Sequence, residues 1–289
     1  MKIVKILGGL GNQMFQYALF LSLKERFPHE QVMIDTSCFR NYPLHNGFEV
    51  DRIFAQKAPV ASWRNILKVA YPYPNYRFWK IGKYILPKRK TMCVERKNFS
   101  FDAAVLTRKG DCYYDGYWQH EEYFCDMKET IWEAFSFPEP VDGRNKEIGA
   151  LLQASDSVSL HVRRGDYVNH PLFRGICDLD YYKRAIHYME ERVNPQLYCV
   201  FSNDMAWCES HLRALLPGKE GVYVDWNKGA ESYVDMRLMS LCRHNIIANS
   251  SFSWWGAWLN RNPQKVVVAP ERWMNSPIED PVSDKWIKL

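Results

Sequence analysis

The sequence lacks the features that mark several common classes of protein. No apolar run approaches the ~20 residues that a transmembrane helix needs, and the first residues form a short strand-like segment in place of a signal peptide. The eight cysteines form no C-x-x-C pair and have no metal-type spacing with histidine, which is typical of reduced, mostly buried thiols. Internal repeats and low-complexity segments are also missing. We therefore expect a cytoplasmic globular protein without a metal site.

Charge is nearly balanced over the whole chain but unevenly distributed. The net charge is +5, yet between Arg77 and Lys97 eight lysines and arginines accompany a single acid, Glu95. This basic segment overlaps the aromatic stretch "YPYPNYRFW", a combination that suits an anionic membrane surface or a polyanion. A solvated loop face would show the same pattern. We expect at most a peripheral membrane contact and no nucleic-acid partner.

The length of 289 residues favours two domains of about 150 residues each. The stretch "FPEPVDGRN" at 137–145 is the best linker candidate, and we place the boundary near residue 150, which gives domains 1–150 and 151–289.

The first domain opens with a β-α-β unit and carries an irregular insertion of loops and short helices from residue 43 to 99; after it, a strand leads to a helix starting near His120. In the second domain strands and helices alternate, which predicts an α/β fold with a parallel, doubly wound sheet. Its predicted strands are 157–162, 197–202, 222–225, 245–248 and 265–269.

Three polar clusters follow strands of the second domain. They are "HVRRGDY" at 161–167, "FSNDMAW" at 201–207 and "ANSSFSWWGAWL" at 248–259. Because ligands of open α/β sheets bind at the carboxyl ends of the strands, we expect the clusters to converge on one crevice. Ser250, Ser251 and Ser253 would lie in the first turn of a helix, where free N–H groups and hydroxyls can hold a phosphate. Simple helix capping by one serine is the alternative.

The adjacent arginines of the first cluster indicate an anionic ligand. Guanidinium groups pair bidentately with phosphate, but Arg163 and Arg164 should point to opposite sides of a continuing strand. At most one is expected to reach the ligand, while the other pairs with Asp166 as structural support. Asp204 could accept two parallel hydrogen bonds from guanine, although capping of the next helix explains it equally simply.

Four motifs, in order from Gly8 to Leu259, carry a resemblance to a known family. "GGLGNQMFQYA", "HVRRGDY", "FSND" and "NSSFSWWGAWL" resemble the α-1,2-fucosyltransferase family, glycosyltransferase family eleven. The resemblance implies a GT-B-like architecture, with two Rossmann-like domains facing a cleft, the C-terminal one binding GDP-fucose and the N-terminal one on the acceptor side. It also implies an inverting, metal-independent enzyme that needs no cofactor. Such an enzyme moves L-fucose from GDP-β-L-fucose to the 2-hydroxyl of a terminal β-galactoside in polysaccharide or oligosaccharide synthesis.

The resemblance also implies roles for individual residues. Arg163 would contact the β-phosphate and, with Asp166, form the catalytic pair, while His161 would approach the ribose and Asp204 would read guanine. The GDP-fucose-binding set is His161, Arg163, Arg164, Asp204, Ser250, Ser251, Phe252 and Ser253. In the first β-α turn, Asn12 and Gln13 would contact acceptor or fucose, or simply form a tight turn. The general base stays open among Asp35, Asp115 and Asp166, since acids at strand ends are usually caps or ion-pair partners.

Other interpretations are weaker. "GGLGN", with Asp35 after the second strand, imitates a dinucleotide-binding fingerprint of an NAD-dependent oxidoreductase, but Met14 stands where the third glycine should be. "DLD" at 178–180 resembles a metal motif, yet it directly precedes a predicted helix and is better explained by capping. A non-catalytic nucleotide-sugar or glycan-binding protein on the same scaffold is the remaining alternative, although it would not need a diphosphate clamp. The natural acceptor, which the basic segment suggests could be lipid-linked, is not readable from motifs.

Overall fold

The computed structural model describes residues 1–42, 45–216 and 218–289. The chain forms two compact units, Met1–Phe137 and Pro138–Leu289. The change from one unit to the next therefore falls at the start of the predicted linker 137–145. Residue 150 lies inside a helix of the second unit. Pro43 and Leu44, where the predicted insertion begins, lie outside the described residues.

The first unit contains a four-stranded parallel sheet in the order β2-β1-β4-β3. Its strands are β1 (Lys2–Lys5), β2 (Val32–Asp35), β3 (Met92–Val94) and β4 (Cys112–Asp115). Its helices are α1 (Leu10–Arg26), α2 (Val50–Phe54), α3 (Trp63–Val69), α4 (Tyr76–Ile85), α5 (Ala103–Thr107) and α6 (Lys128–Ala134). The β1-α1-β2 unit is the predicted β-α-β unit, so that prediction is confirmed.

The predicted insertion contains more regular structure than its composition indicated. Short helices α2 to α4 were expected there, but β3 was not, and it pairs with β4 at the edge of the sheet. The helix predicted to start near His120 was wrong. The chain makes two 3₁₀ turns there, Glu121–Tyr123 and Cys125–Met127. The side chain of His120 caps the first turn, and α6 begins at Lys128.

The second unit contains a six-stranded parallel sheet in the order β10-β9-β8-β5-β6-β7. Its strands are β5 (Ser157–Val162), β6 (Leu197–Ser202), β7 (Glu220–Val224), β8 (His244–Ile246), β9 (Val267–Ala269) and β10 (Ile287–Lys288). Its helices are α7 (Gly143–Ala154), α8 (Leu179–Arg192), α9 (Met205–His211), α10 (Tyr233–Leu241) and α11 (Ser251–Trp258). The first two predicted strands match in both bounds, and the others differ by one or two residues at an end.

Alternation of side chains along the strands places a helical layer on each face of this sheet. In β6, Tyr198 and Val200 pack in the cluster that contains α8 residues. Their neighbours Leu197, Cys199 and Phe201 pack with α10 on the other face. Because successive strand residues point to opposite faces, a strand buried on both sides must be apolar throughout. The doubly wound arrangement follows from that pattern.

The order of the six strands creates a distinct position on the sheet. The chain runs from β5 outward to β6 and β7, then returns to β8 on the other side of β5. Numbered by chain order within the unit, the strands lie 3-2-1-4-5-6, the order of dinucleotide-binding α/β folds. Ligands of such sheets bind beyond the carboxyl ends of the strands where the order reverses. Here that place lies between the ends of β5 and β8.

The predicted α/β class with one parallel sheet in each of two domains is confirmed, since the four-stranded sheet lies in the first unit and the six-stranded sheet in the second. All eight cysteines are free, and five of them are buried, as expected for reduced thiols. Within the described ranges no helix is long and apolar enough to cross a membrane.

Candidate active site at the strand reversal of the second unit

The ends of β5 and β8 bring two of the predicted clusters together. His161, near the end of β5, lies with its ring centroid 6.0 Å from that of Phe252 in the first turn of α11. His161 is buried, and within the described part of the chain its Nδ1 has no hydrogen-bond partner. Burial and then the charge of Arg163 lower the pKa of His161 to about 3. A neutral imidazole with an unused buried nitrogen is therefore available beside α11.

Arg163 is held loosely at the edge of this region. Its Nη2 contacts Asp166 Oδ1 at 2.7 Å, and its guanidinium lies 5.2 Å from the ring centroid of Tyr167. The two side chains of the ion pair stay 32% and 64% exposed. Gly165 makes this geometry possible, because its φ of +37° is unfavourable for other residues and an added Cβ would overlap the Asn203 side chain.

Arg164 is held more firmly. Its Nε donates to Asp204 Oδ2 at 3.0 Å, and its guanidinium stacks 4.2 Å from the ring centroid of Trp207. Its backbone N–H donates to Asn203 Oδ1 at 2.9 Å. One of the two arginines was expected to pair with Asp166, and Arg163 makes that pair, because the turn at 165–167 returns Asp166 toward it. The strand ends at Val162, before both arginines, and the two side chains contact different partners.

Asp204 is already engaged by protein groups. Besides the bond from Arg164, its Oδ1 accepts from the backbone N–H of Trp207 at 3.3 Å, and the residue caps α9. The capping interpretation of "FSND" therefore holds. Each carboxylate oxygen has a second lone pair, and recognition of guanine by Asp204 stays a prediction.

The serine cluster at the start of α11 is divided in function. Ser250 caps the helix, since its Oγ accepts from Phe252 N–H at 3.3 Å. Ser253 is buried, and its hydroxyl lies 3.4 Å from the carbonyl oxygens of Ala248 and Ser250. Ser253 therefore stabilises the turn from inside, and Ser251 is the partly exposed serine of the three. The helix itself begins where the sequence analysis placed it, at the reversal point.

In the first unit, the predicted acceptor residues differ sharply. Gln13 is buried, donates from Nε2 to the carbonyls of Gly8 and Gly47 at 2.8 Å each, and accepts from Glu49 N–H at 2.8 Å. Both Nε2 protons and one of the two Oε1 lone pairs of Gln13 are used to fix the loop. The tight-turn interpretation therefore applies to Gln13. Asn12 is partly exposed and accepts from Gln119 Nε2 at 2.7 Å.

The three candidates for the general base also differ. Asp35 is buried and accepts from the Tyr113 hydroxyl at 2.6 Å and from Ser37 N–H at 2.9 Å. Asp115 forms an ion pair with buried Lys5 and accepts from Trp79 Nε1 at 3.2 Å. Asp35 and Asp115 are therefore held inside the first unit, and Asp166 is the exposed carboxylate of the three.

Three residues with a part in these sites were missed by sequence reasoning. Asn203 and Trp207 fix Arg164, and both lie in the quoted cluster "FSNDMAW", which was the available signal. In the first unit, Glu95 accepts from the backbone N–H groups of Tyr117 and Trp118 at 2.8 and 3.0 Å. Burial raises the pKa of Glu95, and the two hydrogen bonds, which lower it, offset this effect only in part. No spacing in the sequence links Glu95 to Tyr117 and Trp118, because the pairing of β3 with β4 creates the contact.

The "DLD" stretch has the structural role that was predicted for it. Asp178 caps α8 by accepting from Tyr181 N–H at 2.9 Å, and Asp180 pairs with Lys183 at 3.0 Å. Among the residues that the structure describes, no group of three or more His, Cys, Asp or Glu side chains is arranged to hold a metal ion. Metal independence of the reaction stays a prediction.

Comparison with known proteins identifies the family. The family model described as Glycosyl transferase family 11 matches residues 1–288. The chain is 34% identical to an alpha-1,2-colitosyltransferase of Escherichia coli, over 99% of this chain and 98% of that protein. It is 32% identical to the O-antigen biosynthesis glycosyltransferase WbnK of Escherichia coli, over 98% of each, and 25% identical to a galactoside alpha-(1,2)-fucosyltransferase 2 of Hylobates lar, over 89% of this chain and 68% of that one. The chain therefore belongs to glycosyl transferase family 11 and is a glycosyltransferase.

Proposed function

We propose that the protein transfers L-fucose from GDP-β-L-fucose to the 2-hydroxyl of a terminal β-galactoside, in α-1,2 linkage and with inversion. The observation that carries this proposal is that His161 lies beside the start of α11 at the strand reversal between β5 and β8, with Arg163 two residues further along the chain. A helix N-terminus, an arginine and a neutral buried imidazole form a set that suits a nucleotide diphosphate. The fucosyltransferases among the relatives of this chain support the choice of sugar.

In this proposal the chemistry is a single displacement. The acceptor oxygen forms a bond to the anomeric carbon while the bond from that carbon to the β-phosphate oxygen breaks, and GDP leaves with the electron pair. Negative charge grows on the leaving diphosphate, so a cation beside it stabilises the transition state more than the ground state. Arg163 is assigned to the β-phosphate, and the N–H groups with Ser251 at the start of α11 to the remaining phosphate oxygens.

The acceptor hydroxyl must also lose its proton. Asp166 is assigned as the group that accepts it, since Asp35 and Asp115 are held by partners in the first unit. Arg164, stacked on Trp207 and bonded to Asp204, would present a preorganised cation to the nucleotide. The partly exposed Asn12 would contact the acceptor.

A second donor is favoured by a specific finding, the identity of 34% with an alpha-1,2-colitosyltransferase. Colitose is L-fucose without its 3-hydroxyl. A site that hydrogen-bonds this hydroxyl rejects the deoxy sugar strongly, whereas an apolar pocket discriminates weakly. GDP-colitose is therefore the donor to compare with GDP-fucose.

The test is transfer of labelled sugar from each GDP-sugar to a panel of β-galactosides, with EDTA present and the linkage of the product determined. We expect an α-1,2 product from GDP-fucose, formed without added metal. Arg192→Ala serves as a matched control for Arg163→Ala, because Arg192 is exposed at the end of α8, away from the strand carboxyl ends.

Each result is decisive for one part of the proposal. Faster transfer from GDP-colitose would show that GDP-colitose, not GDP-fucose, is the donor. Binding of both GDP-sugars without transfer to any galactoside would overturn the proposal that the acceptor is a β-galactoside. Loss of transfer in EDTA that added metal restores would contradict the metal-independent displacement. We further propose that the enzyme acts in the cytoplasm on a glycan that could be lipid-linked, which product formation on a lipid-linked galactoside would test.

A further inference from the structure

Helix α4 is attached to the first unit by only part of its circumference. Trp79 lies over the Nζ of buried Lys5 at 3.6 Å, and its indole N–H donates to Asp115 at 3.2 Å. One helical turn on, Gly82 is buried against the ring of Tyr73 so closely that an added Cβ would overlap that ring. Trp79 and Gly82 therefore define the packing side of the helix.

The large apolar side chains of α4 lie elsewhere. Phe78, Ile81, Tyr84 and Ile85 are 58%, 59%, 79% and 72% exposed. At 3.6 residues per turn they fall within an arc of about 120°, which is separate from the side of Trp79 and Gly82. These four side chains do not pack in the core of the unit. Single exposed apolar residues are common on protein surfaces, but a contiguous exposed apolar patch marks an interaction site.

Lysines and arginines surround the exposed arc. In residues 63–97 ten Lys and Arg accompany one acid, Glu95, which is a net charge of +9. Since the whole chain carries +5, everything outside this segment is net −4. Glu95 is turned onto the backbone of Tyr117 and Trp118, so the charge of this surface is almost purely positive.

Helix α3 extends the same surface. Arg89, just beyond α4, donates from Nη1 to the carbonyl of Leu67 in α3 at 2.7 Å and stacks 4.3 Å from the ring of Tyr71. The Tyr71 hydroxyl donates to the carbonyl of Pro87 at 3.0 Å. These bonds hold the end of α4 against the end of α3. Trp63 at the start of α3 and Leu67 near its end are also exposed.

We propose that this α3–α4 surface, formed by Trp63, Leu67, Phe78, Ile81, Tyr84, Ile85 and the surrounding lysines and arginines, binds the headgroup region of an anionic lipid bilayer. An amphipathic helix with cations beside an apolar, aromatic arc lies in the plane of the interface, with the arc at the level of the upper acyl chains. Cations near anionic lipids add attraction that falls off within a Debye length.

Charge decides between the bilayer and other occupants. A second copy of the chain placed on this surface would bring two segments together that each carry a net charge of +9 over residues 63–97, which opposes the contact. An extended polyanion would satisfy the cations but leave Phe78, Ile81 and Ile85 in water. An anionic bilayer offers negative charge and an apolar layer at once, and the proposal commits to it. It does not depend on the identity of the donor sugar, because its readout is lipid binding.

The experiment is co-sedimentation of the full chain with vesicles of phosphatidylglycerol and phosphatidylethanolamine, compared with vesicles of phosphatidylcholine alone. The charge variant is Lys80→Gln/Lys88→Gln/Lys90→Gln. Arg89 is kept, because it holds α3 and α4 together. The apolar variant is Ile81→Gln/Ile85→Gln. The matched controls are Lys24→Gln/Lys109→Gln/Lys285→Gln for charge and Val141→Gln, which is exposed in the second unit, for apolar area.

Binding to the anionic vesicles should weaken about 100-fold in the charge variant, because each cation contributes about 1 kcal/mol and about 1.4 kcal/mol is tenfold. The apolar variant should lose about as much, since each isoleucine transferred from water contributes about 1.5–3 kcal/mol. Both controls should bind within about threefold of the unaltered protein. Melting temperatures should stay unchanged throughout, since all substituted side chains are exposed.

Three results would overturn the proposal. These are binding to neither type of vesicle, equal binding to both, and wild-type binding by the two variants. If sedimentation velocity shows a dimer that the apolar variant dissolves, without any vesicle binding, the surface contacts a second copy and the lipid proposal is wrong.

Discussion

Replacing Arg163 by alanine should separate catalysis from stability. The ion pair that it forms with Asp166 is half exposed, with 32% and 64% of the two side chains open to solvent. Exposed pairs of this kind contribute about 0–1 kcal/mol to folding. A loss of that size lowers the melting temperature of a domain of 150–250 residues by at most about 4 °C. The variant should therefore fold and remain soluble.

The effect on turnover should be far larger. Removing one donor that faces developing negative charge in the transition state lowers kcat by about 10²–10³-fold, whereas a charged hydrogen bond in the ground state is worth about 1.5–3 kcal/mol. The affinity for GDP should fall only about tenfold, because the diphosphate also contacts the start of α11 in the proposed site. The kcat of Arg163→Lys should lie between the kcat of the unaltered protein and that of Arg163→Ala, since lysine keeps the charge but loses the planar guanidinium fork.

The assay measures kcat and KM for GDP-fucose and the Kd of GDP by calorimetry, alongside thermal unfolding. Arg192→Ala provides the control for removing an exposed arginine from the same unit. Near-normal kcat in a folded Arg163→Ala protein would refute the phosphate role. A fall in melting temperature well beyond 4 °C would refute the description of the Arg163–Asp166 pair as a weak surface contact.

Three further predictions follow from single contacts. Gly165→Ala should weaken GDP binding, measured by calorimetry, by tenfold or more, because a Cβ at φ +37° would overlap Asn203. The control Gly175→Ala, at φ +71° with nothing within 4 Å of the added Cβ, should leave GDP binding unchanged, and equal weakening of GDP binding by the two variants would contradict the prediction. Asp166→Asn should lower kcat by about 10²-fold, because the amide keeps the shape of the side chain but cannot take the proton, and a near-normal kcat in the folded variant would reject that role. Burial raises the pKa of Asp235 from 3.8 to about 7, so between about pH 4 and 7 the folded state keeps a proton that the unfolded state loses, and stability falls as pH rises through this range. In urea unfolding at pH 8, Asp235→Asn should raise the free energy of unfolding by about 1–3 kcal/mol, and a lower free energy of unfolding at that pH would disprove the assignment.

Much of the second unit could be predicted from the sequence. Its strands are runs of buried residues, such as "SVSLHV", in which two serines and a histidine alternate with apolar residues, and the largely apolar "LYCVFS". Further polar residues begin where each of these strands ends. Burial on both faces requires such runs, so strand positions and the edge that carries the site are encoded locally. The first unit was harder, because β3 is short and depends on its pairing with β4, about 20 residues further along the chain, and the structure after His120 consists of short 3₁₀ turns.

The partners of the site residues were not predictable in the same way. "HVRRGDY" indicates two arginines and an acid, but the pairing of Arg163 with Asp166 depends on the turn at Gly165, whose φ is +37°. The stacking of Arg164 on Trp207 requires the ends of β5 and β6 to be neighbours, which only the sheet order establishes. For Gln13 the sequence left a ligand contact and a tight turn open, and only the contacts with Gly8, Gly47 and Glu49, which fold the loop, favour the turn.

The different environments of the two arginines assign them different tasks. Arg164 is fixed by a carboxylate, an indole and an asparagine, so it pays little entropy when an anion arrives and acts as a static cation. Arg163 is held only by an exposed pair that costs about 0–1 kcal/mol to open, so the diphosphate can replace Asp166 as its partner at small cost. That exchange would release the Asp166 carboxylate at the moment when the donor is bound. The same loop would then deliver a cation to the leaving group and a free base to the acceptor, and only after GDP-fucose has entered.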